Sequence, residues 1–390
     1  MQKTPKARAK IARVTQALRH QEPDRIPLFE YYWTAFLRRW RQELGLPDDA
    51  DPYRYYDIDV INVGPNMDPH IRPFEILKQT DEETLVRTGF GANVRKVHDF
   101  PMPQYVSFET DSIEKVRAFE FDDPWDERRF FKRGDDHINC VGDDVIFRDI
   151  APFVERVKDL LPHIAVFGSI LEASEFMTRA IGQANALLWM GMYPDDMARF
   201  AEHINAWELE LLEAQIKAAD GMLDGILIAG DVAYRNSLLF SPVYWRKYFK
   251  PGVRAMIEAA HGHGLPVIYH GCGNVSAILD DYAEIGLDGY HPLECKAGLD
   301  AVELRRKMGH RLAFVGNNDV RLWAKGDTDE LKAYTLRKLN AGKGGGYFFG
   351  SDHSVPANVS PQTYDYLVNL VRKHGDYPLQ LGEQDIPDLS

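Results

Sequence analysis

Short, mostly apolar runs recur along the chain at intervals, and amphipathic stretches separate the later ones. The runs predict strands at Ile26–Phe29, Ile58–Val63, Ile164–Phe167, Gly225–Ala229, Pro266–Tyr269, Gly289–Leu293, Arg311–Val315 and Gly346–Phe349. Between the later strands, Pro242–Ala260, Val275–Ile285 and Thr328–Ala341 carry the spacing of amphipathic helices. Continuous apolar strands alternating with helices indicate a parallel sheet covered on both faces. Eight such strands fit an α/β fold of the (β/α)8 TIM-barrel type. At the N-terminus, Ile11, Val14 and Leu18 predict a short amphipathic helix within Met1 to His20.

The regularity breaks between the second and third strands. Glu83–Val97 holds two alternating segments around Gly89-Phe90-Gly91, the pattern of a β-hairpin. From Phe100 to Asp149 the chain is rich in Pro, Asp and Phe, which suits an irregular excursion over the barrel mouth. No linker, low-complexity tract or internal repeat marks a second domain. The expectation is one barrel domain over residues 1–390 with an insertion at about 66–160.

Composition narrows the functional classes. Of 390 residues, 45% are hydrophobic and 27% charged, enough for a large core. A net charge of −13 argues against nucleic acid and anionic membrane as partners, since both attract basic surfaces. The longest apolar candidate, Ala184 to Met192, is about half the ~20 residues that span a bilayer and contains Asn185. The basic N-terminus lacks the apolar stretch of a secretory signal. Three well-separated cysteines make no disulfide framework. These features suit a soluble protein of a reducing cytoplasm.

In a parallel barrel, reacting groups gather where the strands end. The polar residues expected there are Glu30, Asp59, Glu172, Asp231, His270 with Cys272, Glu294 with Cys295, Asn317 with Asp319, and Asp352 with His353. So many carboxylates on one mouth repel unless a cation or cationic ligand joins them. His270 and Cys272 follow the apolar run Leu265-Pro266-Val267-Ile268, and imidazole with thiolate is a soft donor pair suited to zinc. The alternative is a buried histidine bonded to backbone beside a small apolar cysteine. For a third ligand, Cys295 is softest, Asp352 and His353 are harder, and Glu294 is also available. Three protein ligands leave a fourth position open, as catalytic zinc requires.

The remaining candidates each have two readings. Asp231 is a catalytic group or a loop cap, and Asp59 holds a substrate cation or solvates a strand end. His353 is a ligand or acid/base, while Asp352 otherwise caps the turn before Pro356. Trp33, with Tyr31, Tyr32 and Phe36, suits an aromatic substrate or packs under the insertion. Glu30, Glu294 and Asn317 complete the expected substrate-binding set. His261 and His263 precede a strand at the opposite end and read as helix capping. Gly342-Lys343-Gly344-Gly345-Gly346 leads into a strand rather than a helix, unlike a phosphate loop. His137 and Cys140 carry no readable pattern.

Several motifs together resemble the uroporphyrinogen decarboxylase superfamily. They are Ser241-Pro242 with its aromatic-rich helix, Tyr269-His270-Gly271-Cys272-Gly273-Asn274, and His291-Pro292-Leu293-Glu294 leading to Ala297-Gly298. Gly316-Asn317-Asn318-Asp319 and Ser351-Asp352-His353-Ser354-Val355-Pro356 complete the set. The resemblance implies a (β/α)8 barrel and one of two chemistries. True decarboxylases carry an Arg-rich segment after the first strand; here that place reads Phe29-Glu30-Tyr31-Tyr32-Trp33, with Arg38, Arg39 and Arg41 further on. The other branch comprises methyltransferases with zinc on a His-x-Cys pair and a distant third ligand, often Cys. His270 and Cys272 match the pair, and the distant position falls on Asp352, leaving Asp352 or Cys295 as third ligand. The implied activity is zinc-dependent methyl exchange between a small methoxy or methylthio compound, or a thiol, and a corrinoid (methylcobalamin) on a partner protein. Trp33 and its aromatic neighbours also suit the face of a corrinoid. A homodimer is implied as well. The alternatives are a metal-free, decarboxylase-like lyase acting on a carboxylated substrate through Asp59 and Asp352-His353, and a non-catalytic ligand-binding barrel.

Overall fold

A computed structural model describes residues 2–72, 75–98, 102–132 and 151–389. His137, Cys140 and the end of the expected excursion, 133–149, lie outside the described residues. The strands, in chain order, begin with β1 (Val60–Val63) and an inserted set, β2 (Glu75–Gln79), β3 (Glu83–Arg87), β4 (Ala92–Val97) and β5 (Gln104–Phe108). They continue with β6 (Ala165–Leu171), β7 (Gly225–Ala229), β8 (Val267–His270), β9 (Gly289–His291), β10 (Ala313–Val315) and β11 (Tyr347–Phe348).

One seven-stranded sheet runs in the order β1-β6-β7-β8-β9-β10-β11, with every pair parallel. The first apolar run joins its two edges: Leu28 bridges Phe349 and Phe29 bridges Val60, both in parallel. The sheet therefore closes on itself. Gly350 sits at this seam, where a Cβ would lie 2.0 Å from the Phe29 carbonyl oxygen, so only glycine lets the two segments approach. The inserted strands form a separate antiparallel sheet in the order β2-β3-β4-β5. β3 turns into β4 through Gly91, whose φ of 73° and bond to Thr88 O (3.0 Å) close the turn.

Helix boundaries depart from the periodic pattern where local chemistry intervenes. The expected Pro242–Ala260 helix divides into Pro242–Tyr248 and Lys250–Gly262, because Pro251 lacks an N–H to continue a helical ladder and suits a first turn. Val275–Ile285 is helical only over Leu279–Glu284. The Asn274 side chain accepts from Ser276 N and Ser276 Oγ, which turns the chain before the helix can start.

The barrel interior is a distinct apolar cluster of Phe29, Val60, Ala165, Phe167, Leu227, Ile268, Ala313, Val315 and Phe348. Val14, Ala17 and Leu18, from the N-terminal helix Pro5–Leu18, join it and seal the end where strands begin. Side chains alternate along a strand. With Ile268 inside the barrel, His270 also faces the lumen; with Phe29 inside, so does Tyr31. Gly289 lies inside against Leu18, which puts His291 on the same lumenal face at the mouth. Among the described residues, no helix is long and apolar enough to cross a membrane.

Candidate metal centre at the barrel mouth

β8 ends at His270, β7 ends one residue before Gly230, and the loops that follow carry Cys272 and Asp231. Asp231, His270 and Cys272 each offer a ligand atom, and these atoms all lie within 4.8 Å of one another. His270 Nε2 is 3.9 Å from Cys272 Sγ. The fold holds the group from both sides: Cys272 N donates to Asp231 Oδ1 (2.9 Å), and Gly273 N donates to Glu294 Oε2 (2.9 Å). Two buried tyrosines on the outer face of the sheet brace the same loops. Tyr269 OH donates to Gly230 O (3.1 Å) and to Glu172, and Tyr290 OH donates to Gly271 O (3.1 Å). Small residues are required at these turns: a Cβ on Gly230 would lie 2.4 Å from Glu172 Oε2 and from Tyr269 OH.

The electrostatics favour a cation. Burial pushes the His270 imidazole down to about 4, so it is a neutral donor. Burial, reinforced by the Asp231 and Glu294 carboxylates, raises the Cys272 thiol well above its ordinary range. A thiolate beside two carboxylates is unfavourable without a positive charge, and a divalent metal supplies one. One nitrogen, one sulfur and one carboxylate oxygen make a donor set that zinc accepts. The residues present therefore fit the group that the sequence motif implies. Asp231 is exposed while His270 and Cys272 are half-buried, so the centre opens toward the mouth.

The other expected site residues divide sharply. Asp352 is bound up in backbone: its Oδ2 accepts from Cys295 N (3.1 Å) and its Oδ1 from Val320 N (3.2 Å). Burial raises its carboxyl to about 6. Cys295 turns its Sγ to Asn317 O (3.3 Å) and Tyr334 OH (3.6 Å), and burial pushes the thiol up to about 12. Neither belongs to the Asp231–His270–Cys272 group. Asp352 instead ties the loop after β9 to the helix after β10. Glu294 braces the Cys272 loop and pairs with Lys296 (2.9 Å).

Three expectations need correction. Asp59 lies just before β1, at the strand-start end away from the mouth, because it opens the run Ile58–Val63 rather than closing it. There it is fully buried and holds Arg13 (2.5 Å), Arg25 (2.8 Å) and Leu28 N (2.7 Å). Asn317 spends its whole side chain on the fold, donating to Leu293 O and Leu299 O while accepting from Ala301 N (2.7 Å) and Lys338 Nζ (2.5 Å). Glu30 points outward between lumenal Phe29 and Tyr31, and accepts from Ser351 N (3.0 Å), Ser351 Oγ (2.5 Å) and Tyr364 OH (3.4 Å). Burial lifts its carboxyl to about 8. Trp33 and His353 stay at the rim, stacked at 6.0 Å and 9°, with the His353 ring 6.2 Å from His270. Burial first, and then His270, lower the His353 imidazole to about 4.

Sequence reasoning gave no site role to His291, whose Nδ1 lies 2.6 Å from His270 Nδ1, or to Asn62 and Ser169, which with Tyr31 make a polar row in the lumen. In that row Tyr31 OH donates to Asn62 Oδ1, and Asn62 Nδ2 to Ser169 Oγ (2.8 Å). Strand alternation was the signal: each of these lies two residues beyond an inward apolar or glycine position. His261 and His263 lie at the C-terminal end of the helix Lys250–Gly262, where their side chains pair with Asp288 (2.8 Å) and Glu213 (2.8 Å) away from the mouth.

A methyltransferase from Methanosarcina mazei shares this fold, with 17% identity and a TM-score of 0.63 over 93% of this chain and 98% of that one. A Listeria monocytogenes protein described as a vitamin-B12-independent methionine synthase aligns over 90% of this chain and 98% of that one, with 11% identity and a TM-score of 0.43, too loosely to carry an argument. No curated protein matches. The family model described as uroporphyrinogen decarboxylase (URO-D) matches residues 144–374, more than half of the chain, and the chain belongs to that family.

Proposed function

We propose that this barrel is a zinc-dependent methyltransferase that exchanges a methyl group between a small methoxy or methylthio compound, or a thiol, and a corrinoid on a partner protein. The observation that carries the reading is the convergence of Asp231, His270 and Cys272 within 4.8 Å on the lumenal side of the mouth. The methyltransferase activity named for the Methanosarcina protein of the same fold agrees with it. In this reading Asp231, not Asp352 or Cys295, is the third ligand, because those two are held by backbone and by Tyr334. When bound, zinc supplies Lewis acidity that keeps a substrate thiol ionised or polarises a methoxy oxygen.

The chain's own groups do the rest. Tyr31, Asn62 and Ser169 form a polar floor that orients a small substrate. The Trp33–His353 stack makes an aromatic rim against which an aryl group or a corrinoid face can pack. The barrel and its antiparallel insertion work as one domain, and a reducing cytoplasm keeps Cys272 and Cys295 as thiols.

Zinc content, measured on protein purified without chelator, tests the reading. About one zinc per chain is expected in the wild type, in Asp352→Ala and in Cys295→Ala, with loss in Asp231→Ala, His270→Ala and Cys272→Ala. Zinc-dependent demethylation of free methylcobalamin by a panel of thiols is expected alongside. A wild type free of zinc sinks the proposal and returns the chain to a metal-free lyase.

A further inference from the structure

His291 is buried (1% exposed) and reaches the mouth from β9, beside β8. Its ring meets that of His270 edge to edge and nearly in one plane, with centroids 4.9 Å apart and planes 27° apart. The two Nδ1 atoms are 2.6 Å apart, so one carries a proton and the other accepts it; two protons or none would leave the pair repulsive. His270 presents its other nitrogen, Nε2, to Cys272 Sγ at 3.9 Å. A metal held by Nε2 requires that nitrogen unprotonated, which puts the His270 proton on Nδ1. His291 Nδ1 is then the acceptor, and His291 carries its own proton on Nε2.

The surroundings keep His291 in this pose. Phe29 lies against its ring at 4.7 Å and Tyr31 meets it edge-on at 5.5 Å. A Cβ on Gly316 would come 3.6 Å from His291 Cδ2, so the neighbouring loop closes that side. The backbone registers the same partners, since His270 pairs with His291 between β8 and β9 and Gly271 N donates to His291 O (3.0 Å).

We infer that His291 is a positioning residue: its Nδ1 accepts the His270 Nδ1–H, which selects the tautomer and ring orientation that aim His270 Nε2 at the metal position beside Cys272. The inference rests on the zinc reading above. Second partners of this kind raise ligand basicity, and their removal typically weakens metal binding roughly 10–100-fold.

Two replacements separate the acceptor from the packing. His291→Phe keeps the ring volume but removes the acceptor, while His291→Asn keeps an oxygen acceptor near Nδ1 but loses volume. Zinc affinity, measured against a competing chelator, is expected to fall roughly 10–100-fold in His291→Phe and to stay at the wild-type value in His291→Asn. The reverse order makes His291 a packing residue and overturns the inference. Should the wild type hold no zinc, the zinc reading fails and the tautomer decides by itself. Nitrogen NMR of 15N-histidine-labelled wild-type protein, with His270→Ala for assignment, is expected to show His270 protonated at Nδ1. Protonation at Nε2 overturns the inference whether or not zinc binds.

Discussion

At Asn317 a left-handed backbone (φ 66°) and four hydrogen bonds meet in one buried side chain. Asparagine tolerates that conformation better than most residues. Asn317→Ala leaves the Lys338 ammonium and two backbone carbonyls short of a partner. It is expected to cost roughly 2–4 kcal/mol in urea unfolding while leaving zinc stoichiometry unchanged. Glu30 supplies a pH test. The native carboxyl keeps its proton up to about pH 8, whereas the unfolded chain releases it near 4.5. Its contribution is fully present below about pH 4.5 and is lost as the pH rises through about 8. Wild-type stability should therefore fall relative to Glu30→Gln across that window, read from urea midpoints at each end; a constant difference would contradict the assignment. From sequence, Asn317 and Glu30 were indistinguishable from site residues. Polar groups at strand ends serve the fold or the cavity according to which side of the sheet they face, and a one-residue change of phase moves them between the two.

The N-terminal helix Pro5–Leu18 closes the strand-start end of the barrel through Val14, Ala17 and Leu18. Leu18 is 2% exposed, and Leu18→Ala is expected to destabilise the protein by about 2–4 kcal/mol. Zinc content should not change, since the centre lies at the other end; parallel loss of both would show that the two ends are coupled. The spacing of Ile11, Val14 and Leu18 predicted this helix, and mostly apolar runs located the seven strands of the parallel sheet and the Leu28–Phe29 segment that bridges its edges. Other features left no periodic trace. The division at Pro251 follows from a missing N–H, and the late start at Leu279 from a side-chain bond at Asn274. The His-x-Cys pair was legible because His270 ends a strand and Cys272 lies in the loop just after it. Asp231 was legible as a strand-end carboxylate, but its approach to the pair depends on the pairing of β7 with β8.

For the whole molecule, the closed sheet decides which residues can meet. β1 and β11 are edges until the Leu28–Phe29 segment bridges them, and Gly350 permits that approach. Gly350→Ala places a Cβ 2.0 Å from a backbone oxygen, which cannot move without breaking the seam. A thermal scan is expected to show a large loss of melting temperature or no folded protein, and near-wild-type melting would mean that the seam is not needed for closure. An intact ring holds β7, β8 and β9 in register, and so keeps Asp231, His270, Cys272 and His291 on one face.

X-ray absorption at the zinc edge of the metal-loaded, substrate-free protein tests this arrangement most directly. The account predicts a single sulfur at about 2.3 Å, from Cys272, with the remaining ligands nitrogen or oxygen at about 2.0–2.2 Å. Two sulfurs would bring Cys295 into the centre in place of Asp231, and a shell without sulfur would remove Cys272; either contradicts the account.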